Sequence, residues 1–214
     1  MGASIEAIAR YLPLLFTVLF IGVLFGYRAL RFTRRHGRSP IHVPARDDRS
    51  AHALLSRLLL VFFLATVLLA AMAAFWPTLL QRVDLLYAGR PTILLGPGLV
   101  LGIVAAWLVW RGQTAMDRSW RIGIDRAERT DLVTRGLFRF CRNPIYLGLQ
   151  LALAGFFCLI PGYLAMILLL QGLVLLHVQT RLEEQYLLAC HQARYAEYCA
   201  AVGRFLPFLG RWRA

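Results

Sequence analysis

The chain has 214 residues, of which 59% are hydrophobic and 16% are charged, and its mean hydropathy is +0.60. This composition excludes an ordinary water-soluble domain, which averages about 45–50% apolar and about 25% charged residues. The formal net charge is +13, but the basic residues are spread over separate segments. The sequence therefore predicts contact with the anionic headgroups of a lipid bilayer and no binding of nucleic acid.

Long apolar runs recur along the chain and predict five transmembrane helices, because backbone groups in lipid must be hydrogen-bonded within their own segment. The run Ile145–Val178 is too long for one ordinary span, and Pro161 and Gly162 interrupt it near the middle, which predicts a helical hairpin. The three earlier spans are predicted at Tyr11–Leu30, Leu58–Phe75 and Thr92–Trp110. We therefore predict an all-α polytopic membrane protein that ends in a transmembrane hairpin.

Glycines are spaced by four residues in two of the predicted spans. The pairs are Gly22 with Gly26 and Gly98 with Gly102. Small residues at this spacing let the backbones of neighbouring transmembrane helices approach closely. We therefore predict that both pairs mark helix–helix contacts.

All 24 basic residues are arginines, and they are concentrated in alternate loops. Eight lie in residues 28–57, eight in residues 111–142 and five in residues 181–213. Because an excess of basic residues marks cytoplasmic loops, the pattern predicts an N-terminus outside the membrane and a cytoplasmic C-terminus. In a bacterium, this membrane would be the inner (plasma) membrane.

The four cysteines and five histidines are scattered along the chain. They show none of the spacings typical of zinc sites or disulfide frameworks. Three of the cysteines also fall on the predicted cytoplasmic side, which is reducing. The sequence therefore predicts no metal and no disulfide.

Two polar segments, at residues 119–148 and 181–207, are brought to the same membrane face by the predicted hairpin. In the first, Asn143 followed by Pro144 is a strong helix start. The free N–H groups there, beside Arg142, either form a simple cap or hold an anionic group. The two segments together predict a candidate site.

The second segment contains a pair of acidic residues and a pair of tyrosines. Glu183 and Glu184 either form a solvated helix face or meet the arginines of the earlier loop. Tyr195 and Tyr198 share a helix face, where they either line the site or pack the final helix at the membrane interface.

Taken in order, these residues resemble the isoprenylcysteine carboxyl methyltransferase and phospholipid methyltransferase family of integral membrane enzymes. The resemblance covers about Ser119 to Pro207. It consists of a Leu-Val-Thr-x-Gly-x-aromatic stretch at 132–138, Arg-Asn-Pro-Ile-Tyr at 142–146, a Glu-Glu pair and spaced tyrosines. It implies an enzyme that binds S-adenosyl-L-methionine in a cytoplasmic pocket without a Rossmann fold.

By matched position, the resemblance also implies which residues form the site. Phe138 is expected to be an aromatic wall of the cofactor pocket, with Glu183 on the opposite side. Arg181, or Gln179, is expected to meet the substrate as the catalytic-site residue. The residues expected to contact the cofactor are Thr130, Asp131, Leu132, Val133, Phe138, Asn143, Pro144, Ile145, Tyr146 and Glu183.

One position departs from the family pattern, because Asn143 stands where the family usually has histidine. An asparagine side chain keeps its hydrogen-bonding groups but cannot become a cation or shuttle a proton. Cofactor binding that uses this position only for hydrogen bonds would survive the change, whereas chemistry that needs a charge there would not.

The function implied by the resemblance is methyl transfer to a lipophilic acceptor, most simply a carboxylate such as that of a prenylated cysteine. A carboxylate is already ionised at neutral pH and needs no base. Phospholipid N-methylation, S-methylation of a small thiol and a non-catalytic membrane scaffold are the alternatives. The chain divides accordingly into three N-terminal spans at residues 1–110 and a methyltransferase-like region at residues 111–214.

Overall fold

The computed structural model describes residues 9–41, 45, 47–88, 92–121 and 131–212, and contains no strand within these ranges. Four helical stretches are long and apolar enough to cross a membrane, and a shorter apolar helix lies before the last of them. The predicted all-α polytopic fold is confirmed. In chain order the helices are α1 Leu12–His36, α2 Ala51–Phe75, α3 Pro77–Val83, α4 Leu85–Ala88, α5 Leu95–Met116, α6 Pro144–Leu159 and α7 Tyr163–Ala201.

Helix α2 begins seven residues before the predicted span at Leu58. Ser50 is its N-cap, since the Ser50 hydroxyl accepts a hydrogen bond from the N–H of Ala53 at 3.2 Å. Arg57 is accommodated beyond the apolar run because its guanidinium reaches back to the Asp48 carbonyl at 3.1 Å. Polar capping therefore lengthens the helix beyond its apolar run.

The predicted interruption at Pro161 and Gly162 is confirmed, because α6 ends at Leu159 and α7 begins at Tyr163. At 39 residues, α7 is about 58 Å long at 1.5 Å per residue, roughly twice the thickness of a bilayer core. Its second half therefore projects beyond the membrane, with a break in helical geometry at Gln192.

A buried carboxylate holds the start of α7. Asp84 is 2% exposed and accepts hydrogen bonds from the N–H of Leu164 at 2.9 Å and of Tyr87 at 3.2 Å. A side chain at Gly162 would place its Cβ 2.5 Å from the Asp84 carboxylate. Glycine at this turn therefore allows one acidic residue to cap the first turn of α7 and contact α4.

Helices α5 and α6 pack with their backbones close together. A Cβ at Gly98 would lie 3.0 Å from the carbonyl oxygen of Gly155, and one at Gly148 would lie 2.9 Å from that of Ala105. A Cβ at Gly102 would lie 2.5 Å from the ring of Phe16 in α1. The predicted contact at Gly98 and Gly102 is confirmed.

The prediction for Gly22 and Gly26 is wrong, because a Cβ placed at either position would have no atom of another helix within 4 Å. Both glycines lie in a π-helical turn of α1, Gly22–Tyr27. Gln113 of α5 is fully buried and donates to the Leu24 carbonyl of this turn at 2.9 Å. The irregular turn is therefore tied to α5 by a side chain.

Candidate active site

The adjacent carboxylates of α7 enter different surroundings, since neighbouring residues point about 100° apart on a helix. Glu184 is 9% exposed and lies between two guanidinium groups. Arg142 donates to its Oε1 atom from Nε at 3.1 Å and from Nη2 at 3.0 Å. Arg204 donates to its Oε2 atom from Nε at 2.9 Å, with Nη2 at 2.8 Å. The sequence left open whether the acidic pair is solvated. The structure shows that Glu184 is ion-paired.

Arg142 connects this ion pair to the chain that follows α7. Its side chain is 1% exposed. It donates to the Cys199 carbonyl at 3.1 Å, to the Val202 carbonyl, and to the Gly210 carbonyl at 3.2 Å. One buried guanidinium therefore joins the start of α6, the middle of α7 and residues 202–212, which we call the C-terminal strap.

Backbone contacts also hold the C-terminal strap at the start of α6. The N–H of Arg142 donates to the Gly203 carbonyl at 2.9 Å, and that of Asn143 donates to the Arg204 carbonyl at 3.1 Å. A Cβ at Gly203 would lie 1.9 Å from the Leu206 carbonyl oxygen, so this position accepts only glycine. The strap therefore forms a short parallel bridge with the segment that enters α6.

Cys141 lies beside this bridge, where its thiol is 3.5 Å from the Arg204 carbonyl oxygen. Burial raises the pKa of the Cys141 thiol to about 11, against weaker opposing effects of the Asn143 backbone and the Arg142 charge. The thiol is therefore protonated near neutral pH and is a poor nucleophile. Its role is packing.

Glu183 is hydrogen-bonded by neutral side chains, and the positive charge of Arg121 also acts on it. Its Oε1 atom accepts hydrogen bonds from the Tyr146 hydroxyl and from Nε2 of Gln179, the latter at 2.9 Å. Among the described residues, it forms no ion pair. A partly buried carboxylate without a bonded cation suits a positively charged ligand.

The tyrosine pair lies against the turn that carries Phe138. Tyr195 is 1% exposed, and its ring centroid is 6.0 Å from that of Tyr198. The Tyr198 hydroxyl donates to the Phe138 carbonyl at 2.6 Å, and Phe138 itself is 7% exposed. The second half of α7 therefore positions the residues before α6, and the tyrosines belong to the site's framework.

A small apolar pocket opens between α1, α2, α6 and α7. Leu149 and Leu176 in its lining are each one helical turn from Tyr146 and Gln179, respectively. The polar cluster of Tyr146, Gln179 and Glu183 therefore lies at one end of an apolar pocket. Other lining residues are Phe16, Phe20, Phe62 and Leu153.

The predicted helix start at Asn143 and Pro144 is confirmed, with Asn143 as N-cap residue. Its side chain, however, forms no capping hydrogen bond. The side-chain amide instead donates to Glu184 at 3.1 Å and to the Arg204 carbonyl at 3.3 Å. Asn143 therefore contributes two donors to the ion-paired network.

The structure brings together only some of the predicted site residues. Asn143, Tyr146, Gln179 and Glu183 surround the first turns of α6 on the side facing α7, whereas Arg181 is exposed. Asp131 is exposed and its carbonyl lies 3.5 Å from the Ser119 hydroxyl, while Leu132 and Val133 are half-buried. Pro144 is buried, and Ile145 packs against Gly112 of α5. Thr130 lies outside the described residues.

Three charged residues of the two predicted polar segments were not among the expected cofactor and substrate contacts: Arg142, Glu184 and Arg204. Their opposite charges within the two polar segments were the available signal. No group of three His, Cys, Asp or Glu side chains within the described parts of the chain could hold a metal ion.

The apolar helices define a polytopic membrane protein, with a buried polar cluster beside an apolar pocket. Residues 93–194 match the family model described as phospholipid methyltransferase. This match, which includes α5, α6 and most of α7, indicates that the protein is a membrane methyltransferase. No curated protein matches the chain.

Proposed function

We propose that the protein transfers the methyl group of S-adenosyl-L-methionine to a lipophilic acceptor, most simply a carboxylate such as that of a prenylated cysteine. The observation that carries this proposal is the position of Glu183. Its carboxylate has only neutral hydrogen-bonding partners and lies at one end of the apolar pocket. A cationic methyl donor and an acceptor with a hydrocarbon chain suit these two environments.

The residues fit the proposed cofactor by charge. S-adenosyl-L-methionine, when bound, supplies an electrophilic methyl group on a positively charged sulfur. Glu183 would offset the cofactor's positive charge, and Tyr146 and Gln179 would hold the carboxylate in place. The rings of Phe138 and Tyr146 would add cation–π stabilisation. The other proposed contacts are Thr130, Asp131, Leu132, Val133, Asn143, Pro144 and Ile145.

The acceptor would approach from the lipid. Its chain would lie in the apolar pocket, so that its polar end meets Gln179 at the boundary of the pocket and the polar cluster. Alignment of the acceptor and exclusion of water would provide most of the rate enhancement, because a carboxylate nucleophile is already ionised. Arg181, which is exposed, would meet the part of the acceptor that extends beyond the pocket.

N-methylation of a lipid amine is the second candidate, and two observations favour it. The matched family is described as phospholipid methyltransferase. Glu183 is also a carboxylate at the pocket that could accept the proton an ammonium group must lose before it attacks. This reaction requires a base, whereas O-methylation of a carboxylate does not.

The orientation we propose places the N-terminus outside and the C-terminus in the cytoplasm, which in a bacterium means the inner membrane. Support comes from the arginine-rich segments at 28–57, 111–142 and 181–213. The five helices alternate in direction if each crosses the membrane, and these segments then share one side. We also propose that the chain divides into residues 1–110, with three transmembrane helices and a basic cytoplasmic loop, and residues 111–214, the catalytic region with the transmembrane hairpin and the cytoplasmic end of the chain.

The proposal is tested by calorimetric titration of the purified protein with S-adenosyl-L-methionine, which carries the positive sulfur that S-adenosylhomocysteine lacks. Glu183→Ala is expected to weaken binding at least tenfold, because hydrogen bonds to charged groups contribute about 1.5–3 kcal/mol. Tyr146→Phe should weaken it less, because the carboxylate remains. Glu197→Ala is the matched control, since Glu197 is an exposed carboxylate on the same helix.

Saturable binding that Glu183→Ala weakens and Glu197→Ala preserves would support the proposed pocket. Absence of binding in folded protein would instead favour a scaffold. Once binding is established, turnover with prenylcysteines, phosphatidylethanolamine and small thiols separates the acceptor classes.

A further inference from the structure

The C-terminal strap exposes a row of large apolar side chains. Phe208 is 73% exposed and Leu209 is 63% exposed, and Leu206 and Trp212 are each more than two-fifths exposed. In water, such a contiguous apolar surface is unfavourable and usually marks an interaction site. The surface therefore requires a partner.

The backbone of the strap holds these side chains outward in a closed loop. The N–H of Arg204 donates to the Leu209 carbonyl at 2.9 Å, and the N–H of Leu209 donates to the Leu206 carbonyl at 3.3 Å. Phe208 within this loop has a φ of +71°, which is unfavourable for a bulky side chain. The fold thus presents an aromatic ring to the surroundings despite a local conformational cost.

The strap contacts the apolar half of α7. The ring of Phe205 lies 6.4 Å from that of His177. His177 precedes Glu184 by seven residues, or about 10 Å along the helix toward its apolar half. Its neighbours Val174 and Val178 are 62% and 41% exposed. Phe205 therefore places the strap beside an exposed, largely apolar stretch of α7.

We propose that residues 205–212 of the strap lie in the bilayer, at the boundary between the headgroups and the acyl chains. Aromatic residues favour this depth, where amphipathic segments bury an apolar face and keep their charges at the phosphates. Arg211, whose guanidinium lies 4.7 Å from the centre of the Phe208 ring, is placed to meet a lipid phosphate. The partner of this surface is the lipid itself.

This arrangement would also link lipid contact to the site, a consequence that rests on the proposed function. The strap supplies Arg204 to Glu184 and the Gly210 carbonyl to Arg142. When lipid holds the strap, both contacts stay in place at the start of α6. The position of the strap in the bilayer would therefore affect the geometry of the site.

The test measures the depth of Trp212 in vesicles of phosphatidylcholine brominated at defined acyl positions. The contribution of Trp212 is the difference between the native protein, which has five tryptophans, and Trp212→Phe. We expect stronger quenching by bromines near the headgroup end of the chains than by bromines near their middle. Trp212 fluorescence that brominated lipid does not quench would overturn the proposal.

A variant pair makes the test specific for the strap. The double variant Phe208→Ser with Leu209→Ser should reduce the quenching of Trp212. Phe140→Ser is the matched control, since Phe140 is 61% exposed but lies before α6, and it should leave that quenching unchanged. Equal quenching in both variants would contradict seating by the apolar row. This measurement needs no cofactor or acceptor, so its outcome is independent of the methyl-transfer assay.

Discussion

The ion-paired position of Glu184 predicts a large loss of stability when its carboxylate is removed. Glu184→Ala would leave Arg142 with a guanidinium that is 1% exposed and has no anionic partner. Breaking a buried ion pair in this way costs about 3–5 kcal/mol. The three carbonyl oxygens that remain bonded to Arg142 would partly compensate the charge, so we expect the lower end of this range.

A loss of about 3 kcal/mol lowers the folded-to-unfolded ratio more than a hundredfold. For a chain of this size, it corresponds to a fall in Tm of roughly 6–12 °C. The assay is thermal unfolding of the purified protein in detergent, without cofactor, followed by circular dichroism. The Tm of Glu184→Gln should fall less, because the glutamine amide keeps the shape of the side chain and one acceptor oxygen.

The matched control is Arg181→Ala, a change at an exposed charged residue three positions earlier on α7. Exposed substitutions away from special contacts usually stay within about 0.5 kcal/mol. If Glu184→Ala unfolds at the same temperature as Arg181→Ala, the carboxylate does not hold the two arginines, and the account of the network is refuted.

Two further changes test other parts of the structure by the same thermal assay. Asn143→His should lower the free energy of unfolding by only about 0.5–1.5 kcal/mol, because one ring N–H can replace one of the two amide donors. Asn143→Leu removes both donors. Equal losses in the two variants would contradict the role of Asn143 as a donor. For Asp84, burial opposes ionisation, but hydrogen bonds from the backbone of Leu164, Tyr163, Tyr87 and Leu86 outweigh it and lower the pKa. A lowered pKa stabilises the fold above the unfolded-state value of about 3.9 and loses this contribution as the pH falls through the folded-state value. The Tm difference between the native protein and Asp84→Asn should therefore shrink in acid, while Asp47→Asn, at an exposed carboxylate, should show little difference at any pH.

The helices were predictable because lipid imposes one requirement on every span, namely internal backbone hydrogen bonding over about 20 apolar residues. The helix ends were less predictable. The start of α2 depends on the Ser50 hydroxyl, and the length of α7 depends on polar contacts beyond the membrane. An apolar run marks the part of a helix that crosses the lipid. It does not mark the polar turns that extend the helix beyond the membrane.

The site was predictable where residues lie close together in sequence. The segment around Asn143 and the acidic pair could be placed at one membrane face from the hairpin alone. The partner of each carboxylate could not be predicted, because the direction in which each residue points from α7 decides whether Glu183 or Glu184 meets the arginines. Arg204 lies in the second predicted segment, but its contact with Glu184 was not predicted, because no local pattern indicates which residue the chain after α7 meets when it folds back to the start of α6.

The α6–α7 hairpin is fastened at both ends by carboxylates. Asp84 holds the turn where α7 begins, and Glu184 joins α7 to the start of α6. Glycine packing also holds α5 against α6 along their length. The hairpin therefore resists splaying, and we expect any widening of the apolar pocket to come from movement of α1 and α2. A lipid tail would then enter the pocket laterally, between the rigid α6–α7 hairpin and the more movable helices α1 and α2.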